Sequence, residues 1–305
     1  MDVIYKNLFS RHGLSLERLR AFLETAEAGG ITKAVGPDPV RQSQYSRQIA
    51  ELQSFFGVEL LARRGKVLIL TPAGQRLAVL IRESLTGLSD FEQACAGEPI
   101  RFHIGAGDSL LQWVVLPQVG RLTNEFPSFD FSLHSHRTSE VIAGLGELRL
   151  DFGLVRQDAV RKPLSSSPLG TITFALFIPN EWVKGRKSAT FEWALGNLPI
   201  ATQSSDGQFT RRLYQIAEEK RRSFRLHLGC ETFPQALQAL LSRQYAAILP
   251  QMALAGTDRK SFLEISCPEL DTEKRLVELA WNPRLIGVRK EADKLLQRLR
   301  KLLQF

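Results

Sequence analysis

Three observations predict an α/β protein with a small, mainly helical head. Apolar or small residues, Val40, Ser43, Ile49, Leu52, Phe55 and Phe56, recur at roughly helical spacing ahead of a short basic stretch flanked by β-prone runs. A single apolar-striped helix then runs from Pro72 to Ala96. From Ile100 onward, strand and helix patterns alternate. At 305 residues the chain is long enough for two or three domains, each with its own core. With 44% hydrophobic and 24% charged residues, the composition is that of an ordinary globular protein.

Residues 1–15 carry no assignable pattern. Leu16 to Ala28 reads as an amphipathic helix, with Ser15 as its N-cap and Gly29-Gly30 as its stop. Thr32 to Val35 begins a second helix, but Gly36-Pro37-Asp38-Pro39 follows, and a proline inside a helix costs about 3 kcal/mol. The second helix must therefore be short. Asp38-Pro39 is a good cap and first-position pair, so a third helix is predicted to start near Asp38 and to stop at Gly57. Its first turns carry Arg41, Gln42, Ser43, Gln44, Ser46 and Arg47, which can bond base edges and phosphates but offer nothing to a core. Next comes Ala62-Arg63-Arg64-Gly65-Lys66, a turn with three cations, and the β-prone run Val67 to Leu70. A polar helix followed by a basic-tipped hairpin is the outline of a winged helix-turn-helix bound to double-stranded DNA. Arg41, Gln42, Ser43 and Ser46 are the expected base contacts. Arg47, Arg63, Arg64 and Lys66 are the expected phosphate contacts. The formal charge of +8 decides little alone, but residues 41–82 hold seven Lys/Arg against two acids, the electrostatic footprint such a surface needs. The later clusters Arg211-Arg212 and Lys220-Arg221-Arg222 read as solvated faces.

Leu19-Arg20-Ala21-Phe22, Ala28-Gly29, Gln42-Ser43, Ser46-Arg47-Gln48-Ile49, Phe56-Gly57-Val58-Glu59-Leu60 and Leu70-Thr71-Pro72-Ala73-Gly74 resemble, in order and spacing, the N-terminal domain of LysR-type transcriptional regulators. The blocks cover about a quarter of the chain. Gly36 to Pro39 departs from that family, as does Arg41, which stands where the family commonly has a capping serine; the reading helix is expected to begin about a turn early.

Thr71-Pro72 opens the long helix, about 37 Å at 1.5 Å per residue, with Leu77, Ile81, Leu85, Leu88 and Phe91 on one face. Such a stripe asks for a partner helix. In LysR-type regulators it pairs two subunits, which implies a homodimer or homotetramer; packing on its own domain is the alternative. Gly97-Glu98-Pro99 ends it. The domains are thus expected at 1–71, 72–98 and 99–305. Cys95, Cys230 and Cys267 form no CxxC pair and point to a reducing compartment. No apolar run has signal-peptide or membrane-spanning length, so a cytoplasmic location and no membrane partner are expected.

In the body, strands are predicted at 100–105, 129–134 and 151–155, with helices at 110–126 and 139–148 between them. That order indicates a parallel sheet, which further strands near 173–178, 199–202, 225–229 and 246–249 continue. Ile104-Gly105, Leu116-Pro117, Phe126-Pro127, Gly146-Glu147-Leu148 with Asp151, and Ile248-Leu249-Pro250 resemble the LysR effector domain. The resemblance implies two lobes built like a type II periplasmic binding protein, lobe I about 99–167 and 268–305, lobe II about 168–267. Crossing segments are placed near Ser165 to Gly170 and Ile265 to Pro268.

Ligands of open parallel sheets sit at the carboxyl ends of strands. Asp108 and Ser109, Arg137 and Thr138, and Thr202 through Ser205 follow such ends. By resemblance, Ser109, Thr138 and the residues around Thr202 and Gln203 match effector contacts, although helix capping alone would also explain the hydroxyls. Arg243-Gln244-Tyr245 replaces a family Gly-x-Gly turn, and Arg137 with Arg243 would suit an anionic small-molecule effector as well as plain solvation. His103, His134 and His136 lack an acid or cysteine at ligand spacing, so no metal is expected. No nucleophile elbow, P-loop or dinucleotide fingerprint occurs, which favours neither an enzyme nor a cofactor. The remaining alternatives are a winged-helix protein-interaction adaptor and a solute-binding α/β module that does not bind DNA.

Overall fold

A computed structural model describes residues 5–185, 188–204, 208–289 and 291–305. The chain divides into two compact units, Met1–Ser89 and Asp90–Phe305.

In the first unit, after the single turn α1 (Lys6–Phe9), α2 spans Leu16–Ala28. The Ser15 hydroxyl accepts the Arg18 N–H at its start, and Gly29 at φ 69° ends it. Helix α3 is only Ile31–Val35, stopped by Gly36 at φ 77°. Helix α4 begins at Pro39 and runs to Phe56. Asp38 Oδ1 accepts the N–H groups of Val40 at 2.9 Å and Arg41 at 3.4 Å, so two of the first orphan amides are satisfied where the sequence placed the cap. The wing follows as β1 (Leu61–Arg64) and β2 (Val67–Leu70), antiparallel with Leu61 opposite Leu70 and Gly65 in the tip at φ 63°. The Leu68 N–H donates to Gly29 O at 2.9 Å, fixing the hairpin to the end of α2. Helix α5 is Pro72–Ala96. Phe22, Leu52, Leu60, Ala78 and Ile81 make the core of this unit. At Gly74 a Cβ would lie 2.0 Å from the Leu60 carbonyl oxygen, so the approach of α5 to the wing excludes any side chain there.

The second unit holds two five-stranded sheets. The first takes the order β4-β3-β5-β12-β6, where β3 is Ile100–Ala106, β4 Phe129–Ser135, β5 Phe152–Arg156, β6 Ser165–Ile172 and β12 Arg275–Trp281. Strands β4, β3 and β5 are parallel, as their crossover helices require. The first crossover is α6 (Asp108–Leu110), a π-turn over Leu111–Val115 and α7 (Leu116–Glu125); Pro117 has no N–H for the normal ladder, and the turn widens ahead of it. The second crossover is α8 (Thr138–Gly146). Strand β12 runs antiparallel to both β5 and β6. The second sheet takes the order β11-β7-β10-β8-β9, from β7 (Phe174–Pro179), β8 (Ile200–Gln203), β9 (Leu226–Cys230), β10 (Ala246–Pro250) and β11 (Phe262–Ser266). Here β10, β8 and β9 are parallel while β7 is antiparallel to its neighbours. Around them lie α9 (Asn180–Val183), α10 (Phe191–Asn197), α11 (Gln208–Glu219) and α12 (Phe233–Leu241), and α13 (Pro283–Val288) and α14 (Ala292–Leu302) close the chain.

Two expectations are corrected. The sheets are mixed rather than parallel, because β12 returns to the first sheet antiparallel to β5 and β6, and β7 enters the second antiparallel to β10 and β11. Ser165 to Gly170, expected to cross between lobes, is ladder-bonded in β6, and Ile265 belongs to β11; the chain passes between sheets at Thr173 and again over 267–274.

One buried charge ties this unit together. Arg289 is nearly inaccessible, and its guanidinium donates to Asp90 at 2.7 and 2.8 Å, to Asp151 at 2.8 Å and to Arg101 O at 2.8 Å, lying 4.1 Å from the Phe102 ring centroid. The other Asp151 oxygen accepts the His103 N–H at 2.7 Å. A buried cation with two carboxylates, a carbonyl and a ring face has its donors satisfied, the condition under which burial of charge is tolerated. Cys230 and Cys267 are buried and Cys95 is exposed; all are free thiols. Among the described residues no helix is long and apolar enough to cross a membrane.

Candidate nucleic-acid interface and ligand cleft

Tyr45, Ile49, Leu52 and Phe55 turn one face of α4 into the head. Arg41, Ser43, Ser46 and Arg47 stand on its solvent side, as the sequence requires of a reading surface. Gln42 does not join them fully. It is half-buried, and its Nε2 donates to Gly36 O at 2.7 Å, bracing the turn between α3 and α4. Arg47 lies 3.6 Å from Glu51, which also accepts from Arg18 Nε at 2.7 Å. On the wing Arg63, Arg64 and Lys66 are all exposed around Gly65. Val40, which the helical spacing grouped with the apolar stripe, is instead exposed at the very start of α4, because the core does not reach the first turn.

The second unit carries a cleft of about 830 Å³ between its sheets. It opens at the carboxyl ends of β3, β4, β8 and β9, where strand direction brings helix starts together. Asp108 and Ser109 come from the start of α6, Arg137 and Thr138 from that of α8, and Gln203 from the end of β8. Thr232, the N-cap of α12, accepts the Gln235 N–H at 3.4 Å on the opposite side. The floor is apolar, built from Leu154, Ile172, Phe174, Phe233 and Val277. Phe174 and Phe233 pack with centroids 5.5 Å apart, and the Arg275 guanidinium lies 5.8 Å from the Phe174 centroid.

The polar rim is partly committed to the fold. Asp108 accepts from the Ser135 hydroxyl at 2.5 Å, Glu140 accepts the Arg137 N–H at 2.9 Å, and Gln203 Nε2 donates to Glu231 O at 3.1 Å. The Arg137 guanidinium itself is exposed beside the opening. Two expected residues are not in the cleft. Thr202 is fully buried, and its hydroxyl donates to Ile248 O at 2.6 Å, a tie between β8 and β10. Arg243 sits past α12 at φ 60° and pairs with Glu181 at 2.7 Å. Ser204 N–H donates to Cys230 O at 2.8 Å, and Ser205 lies outside the described residues. His136, Arg156, Glu231 and Arg275 line the cleft without having been expected there. His136 and Glu231 each follow a strand and Arg156 is the last residue of β5, a signal that was available. Arg275 arrives on β12, whose register the sequence does not disclose.

Beside the cleft, His103 Nδ1 and His134 Nε2 are 2.9 Å apart, and the His134 and His136 rings stack with centroids 6.0 Å apart. His136 Nδ1 reaches Glu140 at 3.9 Å. Among the described residues no group of three His, Cys, Asp or Glu could hold a metal ion. Burial, then the neighbouring His103 and His136, lower the His134 pKa below its ordinary 6.5, against an opposing pull from Asp151.

Residues 16–75 match the family described as bacterial regulatory helix-turn-helix protein, lysR family, and residues 96–303 match the LysR substrate binding domain. The chain is 29% identical over 169 residues to a probable hydrogen peroxide-inducible genes activator of Mycobacterium xenopi, covering 54% of this chain and 89% of that one. It spans 60%, 50% and 66% of the length of three further curated relatives. Among solved structures it resembles a full-length OxyR variant of Pseudomonas aeruginosa, with a TM-score of 0.63 at 15% identity over 96% of this chain and 95% of that one. It also resembles full-length CbnR complexed with its target DNA, with a TM-score of 0.51 at 17% identity over 92% and 100%. At those identities the likeness is one of fold.

The lowered His134 pKa has a definite sign in stability. Below about pH 6.5 the unfolded chain takes up a proton that the folded site resists, so stability is lost as pH falls through that value. The urea midpoint of the second unit is expected to drop between pH 7.5 and 5.5, and to drop less in His134→Gln. Equal drops in both proteins would exclude His134 as the titrating group.

Proposed function

The chain belongs to the LysR family of transcriptional regulators, DNA-binding proteins rather than enzymes, and on that premise we propose how this member reads DNA and senses a ligand. Helix α4 lies in the major groove of double-stranded DNA, with Arg41, Ser43 and Ser46 at base edges. Gln42 reaches a base only by releasing the Gly36 carbonyl. The cations of Arg47, Arg63, Arg64 and Lys66 neutralise phosphates. The observation that carries this reading is the clustering of exposed Arg63, Arg64 and Lys66 on a hairpin whose second strand is pinned to the end of α2. They gain nothing for the fold by being there, and phosphate is the ligand such a tip fits.

A small-molecule effector occupies the cleft, its apolar part on Phe174 and Phe233 and its anionic part at the α8 start beside Arg137. Arg243 takes no part in that site. On α5, Leu77, Ile81 and Leu85 of the expected stripe pack into the head instead, while Leu80, Leu88 and Phe91 remain exposed, which fits a second copy of the helix and so a homodimer or homotetramer. A cytoplasmic protein is consistent with this role. Oxidation of a thiol, which the peroxide-inducible relatives bring to mind, finds poor material in Cys230 and Cys267: burial raises both, Cys267 to about 12, so neither is a thiolate near neutral pH.

Two measurements test the reading. In gel-shift titrations across salt concentration, Lys66→Ala is expected to weaken binding to all sequences alike and to reduce the slope of log K against log salt by about 0.9, one phosphate contact. An unchanged slope would remove Lys66 from the interface. In thermal-shift measurements across a library of small carboxylic acids, one or more is expected to stabilise the wild type and to stabilise Arg137→Ala less. Silence across the library would sink the anionic effector.

A further inference from the structure

Val40 is 76% exposed in the first turn of α4, beside exposed Pro39, where the other outward positions over three turns, Arg41, Ser43, Gln44, Ser46, Arg47 and Ala50, are polar or small. A lone exposed apolar side chain is ordinary on a protein surface. Three features set this one apart. Its N–H is bonded to Asp38 Oδ1 at 2.9 Å, so the turn that carries it is held rather than frayed. Its branched Cβ restricts χ1, so its methyl groups are presented in few directions. Finally, Val40, Ser43 and Arg47 follow one another at i, i+3 and i+7, opposite the buried Tyr45, Ile49 and Leu52, while Gln42 is drawn back to the Gly36 carbonyl.

The head of this helix thus offers a fixed apolar knob between polar groups, at the end of a reading helix that approaches base edges first. Of the four bases only thymine shows a methyl group in the major groove. We propose that Val40 is a specificity-determining residue that packs against the C5-methyl of a thymine in the recognised sequence. The inference rests on the DNA-binding reading above and adds to it one base preference. It also accounts for the early start of α4, since a helix beginning a turn later would leave Val40 in the loop.

The test uses the full chain and a duplex selected by it from a random pool. Each thymine in the selected site is replaced in turn by deoxyuridine, which keeps the base pair and removes the methyl. One such replacement is expected to weaken wild-type binding about fourfold, the equivalent of about 0.8 kcal/mol for one buried carbon at about 1.4 kcal/mol per tenfold. Val40→Ala is expected to lose a similar factor on the thymine duplex and to be indifferent to that deoxyuridine. If every deoxyuridine duplex binds within about twofold of the parent, or if Val40→Ala keeps the same sensitivity, the inference is overturned while DNA reading stands. If the pool yields no preferred sequence at all, the DNA reading fails and takes the inference with it. The base replacement needs no variant, so a folding defect in Val40→Ala would leave it decisive.

Discussion

The two hydrogen bonds from the Val40 and Arg41 amides to Asp38 Oδ1 set the geometry on which the head's function depends. Gly36 at φ 77° and Pro37 prevent α3 from continuing, so α4 cannot inherit its first turn from a neighbour and must begin on its own cap. Once it begins at Pro39, the helical period decides the rest. Tyr45, Ile49, Leu52 and Phe55 face the core, and the polar residues between them face out. Gln42 falls near the boundary and closes the turn instead of standing free. Local chain chemistry and reading surface are therefore one problem with one solution.

In the second unit the corresponding constraint is strand direction. Parallel β3 and β4 in one sheet and β8 and β9 in the other end at the same opening, so loops and helix starts from both sheets must line it. The helix starts bring polar groups to the rim, and the crossing at Phe174 brings aromatic surface to the floor. The amphipathic, anionic effector proposed above rests on that distribution. Arg289 supports the frame: with Asp90, Asp151 and the Arg101 carbonyl it binds the end of α5 and the starts of β3 and β5 into one hydrogen-bonded node. Truncating its side chain would leave two carboxylates close together with no counter-charge.

Much of this was legible from residue order, and the reasons differ by element. Helices α2, α4 and α5 announced themselves because each carries its own cap or stop, Ser15 with Gly29, Asp38 with Gly57, and Thr71 with Gly97. The wing was legible because Gly65 sits between basic and β-prone residues. Strand β6 was not, since Ser165-Ser166-Ser167-Pro168 has little β propensity and is held by pairing to β12, more than a hundred residues away. The same limit governs the cleft. Asp108, Ser109, Arg137, Thr138 and Gln203 follow strands and could be placed, whereas Arg275 depends on that distant register. Thr202 and Arg243 were misplaced because sequence shows that a polar residue lies near a strand end but not which way it points. Family resemblance supplied the two lobes, which alternation of strand and helix alone would have drawn as one continuous sheet.

The central claim is that a helix started early by its own aspartate cap is the element that reads DNA. Affinity for the selected duplex in Asp38→Ala and Asp38→Asn tests it most directly. Loss of the cap costs about 1 kcal/mol, so Asp38→Ala should bind about fivefold more weakly, while Asp38→Asn, whose amide oxygen can still accept from Val40 and Arg41, should bind at least as well as the wild type. Wild-type affinity in Asp38→Ala, or equal losses in both variants, would contradict the account.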